Sequence, residues 1–187
     1  IRARLTAGIL SKAERGELGL TLPTGLIRTD GVVTKHPNTE VCQRIDLIFA
    51  IFLEQKSVAQ TVRWFIKHDL LLPRRDRHGE IQWKRVTAAS ISSFLNNPAY
   101  AGAAAYGRTR WKKSAHTGKM HGIKLPPQQW RYCVRGKYLE YIPWDTFERN
   151  QAMLRDNYTE YARNMTRGVP RKGKALLHGI TYCGECG

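Results

Sequence analysis

Between residues 41 and 66 the apolar side chains leave little freedom for the fold. Val41, Ile45, Ile48, Phe49 and Phe52 fall at i, i+4, i+7, i+8 and i+11, which places all five on one face of a helix. Pro37-Asn38-Thr39-Glu40 precedes them, with Asn38 or Thr39 as N-cap. Ser57 then opens a second helix to about His68, with Val58, Val62, Phe65 and Ile66 as its inner face. A third runs from a Thr87 cap to about Asn96, with Ala88, Ile91, Phe94 and Leu95 inward, and Pro98 stops it. The fold class read from this pattern is α+β: a small, mostly helical domain with a helix-turn-helix-like array and a short antiparallel sheet. The linker from 69 to 86 is longer than a minimal turn.

The remaining segments fill in around that array. Residues 1–18 read as an amphipathic helix with Leu5, Ile9 and Ala13 spaced by four, ended before Pro23 and Gly25. Residues 25–36 carry a hairpin signal, with Asp30-Gly31 between short β-prone runs. Residues 100–110 look strand-like, with 129–134 and 138–142 as expected partners. The intervening 111–128 is basic, rich in turn formers and aperiodic, and reads as a mobile loop. A last helix is expected from Pro143-Trp144-Asp145 to about Arg163, with Phe147, Met153 or Ala152, Leu154 and Tyr158 inward. A basic linker follows at 167–174. Trp64, Trp83, Trp130 and Trp144 read as core or hairpin-packing aromatics, whereas Trp111 sits among lysines.

Charge narrows the function classes. Lys and Arg number 31 against 15 Asp and Glu, a formal net charge of +16. Such an excess repels itself unless a polyanion shares it, and duplex DNA is the favoured partner because neutralised phosphates release counterions. An anionic membrane surface or an acidic protein is a weaker fit. No run of about 18 apolar residues is present, so no membrane span is expected. The sequence begins at Ile1 with a charged, helix-patterned stretch and no signal-peptide layout, which suggests a fragment of something longer. Four cysteines, with no secreted disulfide framework, point to a reducing cytoplasm. Cys42 and Cys133 read as small core residues, and Cys183-Gly-Glu-Cys186 stands apart. No phosphate loop, dinucleotide fingerprint, HExxH, GxSxG or acidic cluster occurs, and no catalytic constellation is visible.

The third helix carries the candidate site. Its outward face would present Ala89, Ser90, Ser92, Ser93, Asn96 and Asn97, short side chains that allow close approach to a major groove. Around it cluster Arg74, Arg75, Arg77, Lys84, Arg85, Arg108, Arg110, Lys112 and Lys113, a set suited to phosphate contacts. His116 and His121 fall in the basic loop and read as exposed residues able to face phosphates. A plain solvated surface helix is the competing reading.

Several motifs, in order, resemble a known family. They are Pro23-Thr-Gly25, Asp30-Gly31, Ser57-Val-Ala-Gln-Thr-Val62, Trp83, Thr87, Ile91 to Leu95, Asn97-Pro98-Ala-Tyr100-Ala-Gly102 and Tyr106-Gly107. Leu177-His-Gly179 and Cys183-Gly-Glu-Cys186-Gly187 close the series. Together they resemble the recombinase DNA-binding domain of large serine recombinases (serine integrases), running into the start of the zinc-ribbon domain. The resemblance implies four parts: 1–21, the end of a long helix leaving a catalytic domain; 22–164, the DNA-binding domain; 165–175, a basic linker; and 176–187, the truncated start of a zinc ribbon. It implies that Cys183 and Cys186 are the first two ligands of a tetrahedral zinc site, here only half a site and expected to be empty. It further implies sequence-specific binding of attachment-site half-sites and no cleavage by this chain, the nucleophilic serine domain being absent from it. No cofactor is required for binding, and zinc belongs to the full-length protein. Oligomerisation is expected only there, in a cytoplasm of bacterial, phage or mobile-element origin. The residues also leave open a stand-alone helix-turn-helix regulator or an RNA-binding module.

Overall fold

A computed structural model describes residues 2–115 and 118–163, with side chains to residue 157. The expectations for His116, Tyr158, the linker at 165–175 and the Cys183/Cys186 pair fall outside the described residues. Helix α2 (Thr39–Gln55) is the axis of the core, with Val41, Ile45, Ile48, Phe49, Ile51 and Phe52 buried. Asn38 caps it, its side-chain oxygen accepting from the backbone of Glu40 at 2.8 Å. Lys56, in left-handed geometry, ends it by donating its N–H to Phe52 O. Helices α3 (Val58–Lys67) and α4 (Ala88–Leu95) pack on α2, contributing Phe65 and then Ile91, Phe94 and Leu95.

Four two-stranded antiparallel sheets lie around these helices among the described residues. β1 (Leu26–Thr29) and β2 (Val32–Lys35) form the expected hairpin, turning at Asp30 and Gly31, both at positive φ. β3 (Leu72–Arg75) and β4 (Ile81–Lys84) make a second hairpin between α3 and α4, so Arg74 and Arg75 belong to a strand rather than a loop. β5 (Ala104–Tyr106) pairs with β8 (Tyr132–Val134) as the sequence suggested. Segment 138–142 does not continue that sheet. Tyr141 and Ile142 donate their amides to Tyr100 O, and Lys137 and Tyr138 donate theirs to Gly102 O. Only an isolated bridge from Tyr138 to Val33 remains. The residues read as a mobile loop instead form β6 (Thr109–Lys113) and β7 (Met120–Lys124), a hairpin whose two strands are exposed throughout. Neither face is buried, so no alternation of apolar and polar residues marks it.

Two helices sit differently from their apolar patterns. In α1 (Arg2–Glu14) only Ala13 is buried, while Leu5 and Ile9 are 64% and 44% exposed. In α3 the buried pair is Thr61 and Phe65, and Ile66 is exposed. The Thr61 hydroxyl is satisfied by Ser57 O at 2.9 Å, which lets a polar side chain take the inward position. Cys133 lies exposed on β8 instead of in the core, whereas Cys42 is half-buried beside the Tyr141 hydroxyl, at 3.3 Å. Trp64, Trp83, Trp130 and Trp144 pack against the core as expected. Helix α5 (Trp144–Arg163) closes it with Phe147, Met153 and Leu154.

Asn97-Pro98-Ala99-Tyr100-Ala101-Gly102 forms the hub of the fold. Asn97 caps a 3-10 turn over Pro98–Ala101 by accepting from Ala99 N, and Gly102 ends the turn at φ 74°. Tyr100, 2% exposed, meets Phe49, Phe94 and Tyr141 at ring separations of 5.6, 5.3 and 5.6 Å. Its hydroxyl donates to Thr24 O at 2.8 Å, and the Tyr141 hydroxyl donates to Gly25 O at 2.6 Å. The chain arriving from α1 is thereby fastened to the core.

Candidate nucleic-acid interface

The N-terminus of α4 is built by a reciprocal cap. Thr87 Oγ1 accepts from Ser90 N at 3.2 Å, and Ser90 Oγ accepts from Thr87 N at 3.0 Å. Ser90 is consequently buried, and the expectation that it points outward is corrected: its hydroxyl serves the cap. Ala89 and Ser93 are exposed, and Asn96 and Asn97 are half-buried. Asn96 Nδ2 donates to Ser92 O at 2.8 Å, while Asn97 Oδ1 accepts from Ala99 N and from Arg108 Nη1. The exposed residues of α4 are therefore Ala88, which the sequence reading placed inward, Ala89 and Ser93, with Ser92 half-buried, and the face ends at the two asparagines.

That face opens onto a cleft of about 540 Å³ between α4, β3 and the segment 21–24. Of the residues singled out in the sequence, Arg74, Arg75, Ser90, Ser93 and Asn97 all line it. Arg74 reaches Thr87 Oγ1 at 3.0 Å, which holds its guanidinium beside the first turn of α4. Arg75 lines the same cleft, but its guanidinium is tethered within the fold and is not a free cation. Its Nη2 donates to Leu26 O at 2.8 Å and its Nη1 to Leu22 O at 3.5 Å, while its backbone N–H donates to Thr24 Oγ1. Nε is buried and unpartnered. The guanidinium is half-buried and joins two stretches of the molecule.

The other cations divide into two groups. Arg77, Lys84 and Arg85 are exposed near the β3–β4 hairpin, with Arg77 Nε donating to His78 Nε2. Arg110, Lys112 and Lys113 are exposed on β6, away from the cleft lining. Arg108 stands between: half-buried, its carbon 5.8 Å from the Trp130 ring centre, and pushed below its usual pKa by burial. None of these arginines and lysines forms an ion pair among the described residues; the three pairs found join Arg15 to Glu17, Arg44 to Glu40 and Arg135 to Glu148. Trp111 is 65% exposed on β6, and a Cβ at Gly122 would meet its ring, so the indole lies across that glycine. Thr24 and Tyr100 stood in the motifs read from the sequence without a role; here they line the cleft, and Tyr141, to which the sequence reading gave no such role, holds the adjoining Gly25 carbonyl. Sequence reasoning also missed Lys124, a cation on β7 with no periodic pattern to flag it. No group of three or more His, Cys, Asp or Glu among the described residues is placed to hold a metal ion, and no described helix is long and apolar enough to cross a membrane.

A three-helix core carrying a hairpin between its second and third helices, with a small-residue helix face ringed by cations lacking acid partners, defines a basic surface-presenting domain. Comparison with known proteins places it further. The Recombinase family profile matches residues 39–157, and the chain belongs to that family. An uncharacterised protein, y4bA/y4pH, from Sinorhizobium fredii (strain NBRC 101917 / NGR234) is 36% identical over 194 residues; the match covers this whole chain but 28% of that protein. Two solved structures share the fold. One is a crystal structure of an LSR–DNA complex, with a TM-score of 0.53, 18% identity and coverage of 98% of this chain and 45% of that one. The other, from work on the sequence requirements of the Listeria innocua prophage attP site, has a TM-score of 0.52, 19% identity and coverage of 98% and 62%. The resemblance to large serine recombinases read from the sequence motifs is thereby borne out.

Proposed function

We propose that this chain binds double-stranded DNA sequence-specifically, as the DNA-binding part of a large serine recombinase that recognises attachment-site half-sites. One observation carries the reading: the short outward side chains of α4 face an open cleft bordered by Arg74 and Arg75, which form no ion pair among the described residues. The one carboxylate among its described lining residues, Asp76, is taken up by its own hairpin through His78 N, Glu80 N and Gln82 Nε2. A helix face of Ala89 and Ser93 can approach base edges closely, and Asn96, whose Oδ1 has no hydrogen-bond partner among the described residues, can pair with adenine at its end. Asn97 Oδ1, in contrast, is taken by Ala99 N and Arg108. Arg74, Arg77, Lys84 and Arg85 flank the helix and take phosphates from one side, while Arg110, Lys112 and Lys113 take them from the other. Helices α3 and α4 act as a helix-turn-helix pair with the β3–β4 hairpin inserted between them. Binding requires no cofactor.

In this reading residues 22–164 are the DNA-binding domain, 1–21 the end of a helix from a catalytic domain, and 165–175 a basic linker. Residues 176–187 begin a zinc ribbon in which Cys183 and Cys186 supply two thiolate ligands of the full-length protein. Strand cleavage and oligomerisation belong to that longer recombinase, acting in a bacterial or phage-infected cytoplasm on a mobile element. The 28% coverage of the Sinorhizobium protein fits a chain that is one part of a larger one. Electrophoretic shifts on footprinted half-sites test the proposal. Tighter binding to the half-site than to scrambled duplex at moderate salt is expected; equal binding would remove the specificity, and no binding would remove the function.

A further inference from the structure

We propose that a second cleft, between the base of the β6–β7 hairpin, the end of α4 and α5, seats one backbone phosphate of bound DNA, with Arg108 and Lys124 as its cationic walls. The inference rests on the DNA-binding reading above and assigns it a contact outside the α4 face. The cleft measures about 340 Å³, and Asn96, Thr109, Gln151 and Arg155 complete its polar lining, with no carboxylate among the described lining residues. Arg108 spends one N–H on Asn97 Oδ1 at 3.0 Å and makes no ion pair among the described residues. A half-buried guanidinium left without a counter-charge is costly, and an incoming anion with several acceptor oxygens offsets that cost.

Lys124 is held opposite this group. It pairs in register with Thr109, so both side chains project from the same face of the hairpin. Leu125 N donates to Arg108 O at 2.9 Å, and Trp130 Nε1 donates to Leu125 O at 2.8 Å, which closes the hairpin base and fixes both cations beside one cavity. The Arg108–Asn97 hydrogen bond links this cavity to the last residues of the α4 face. A phosphate seated here would set the register of α4 along the duplex.

Lys124→Gln tests the inference, because the Lys124 side chain is exposed and its replacement leaves the backbone pairing with Thr109 in place. With the 187-residue chain and a duplex, the slope of log Kobs against log salt is expected to fall by about 0.9 in the variant. The wild-type chain should then lose about 3.5-fold more affinity than the variant between 50 and 200 mM salt. The Trp130 indole N–H resonance, which reports on the cavity wall, is expected to shift when the wild-type chain is saturated with duplex. Normal duplex binding with an unchanged slope in Lys124→Gln, or with an unmoved Trp130 signal, overturns the pocket and leaves the proposed function standing. Failure of the wild-type chain to bind any duplex overturns both.

Discussion

Arg75 reaches inward from β3 to the carbonyls of Leu22 and Leu26, where its donors answer acceptors that the connecting segment would otherwise leave unpaired. Arg75→Gln should therefore cost stability, about 1–2 kcal/mol by chemical denaturation, while leaving the salt slope of DNA binding unchanged. A slope lowered by about one unit would instead restore Arg75 as a phosphate contact. Gly25 lies against the same joint at φ 88°, and an added methyl would meet Ile45 Cδ1 and the Tyr141 hydroxyl. Gly25→Ala should destabilise by more than about 2 kcal/mol, seen as a lowered midpoint in denaturant. At the start of α2, His36 Nδ1 accepts from Asn38 N at 3.1 Å, which requires the neutral ring. Burial, with Arg75 nearby, lowers the pKa of His36. A base with a depressed folded pKa leaves the unfolded chain binding more protons, so its contribution to stability is lost as pH falls through the ordinary imidazole range. Thermal midpoints should decline from about pH 7 to pH 5.5, and less so in His36→Gln.

At the scale of elements, α2 was legible because its five-residue stripe admits only one buried face. The third helix was legible in position but not in the role of each serine. Thr87 and Ser90 stand three apart at a helix start, the spacing of a reciprocal cap, and that spacing separates Ser90 from Ser93. Ser90→Ala should cost about 1 kcal/mol in unfolding experiments, whereas Ser93→Ala should leave stability within about 0.5 kcal/mol. In the proposed complex it is Ser93→Ala that alters discrimination between half-site and scrambled duplex. The β6–β7 hairpin was illegible for a physical reason: with both faces in solvent, nothing selects an alternating pattern. Replacing residues 110–123 by a short turn should shift the thermal midpoint by no more than about 2 °C, since no described residue of that stretch is buried. The same deletion should weaken binding to duplex and lower its salt slope.

Across the whole molecule, charge and hydrophobic pattern report on different things. The +16 excess bears on the partner and says little of the fold, since most of the cations lie on the surface. The fold was legible where side chains are buried and repeat: α2, the β1–β2 hairpin, and the Pro98 stop. It was not legible where backbone groups choose among partners, as when Tyr141 and Ile142 bond Tyr100 O instead of extending β8. Nor could composition separate a half-buried, tethered arginine such as Arg75 from an open one such as Arg77.

The connection at residues 22–26 has a mechanical consequence. Side chains of Arg75, Tyr100 and Tyr141 clamp its carbonyls, and α1 contacts β5 and β8 just before it. Helix α1, 13 residues long, is then a lever arm of about 20 Å on a stiff pivot. A swing of roughly ten degrees at that pivot would carry the far end about 3.4 Å, the spacing of one nucleotide along a strand of duplex. Stiffness at the pivot thus sets the positional error, in base-pair steps, of whatever the far end touches.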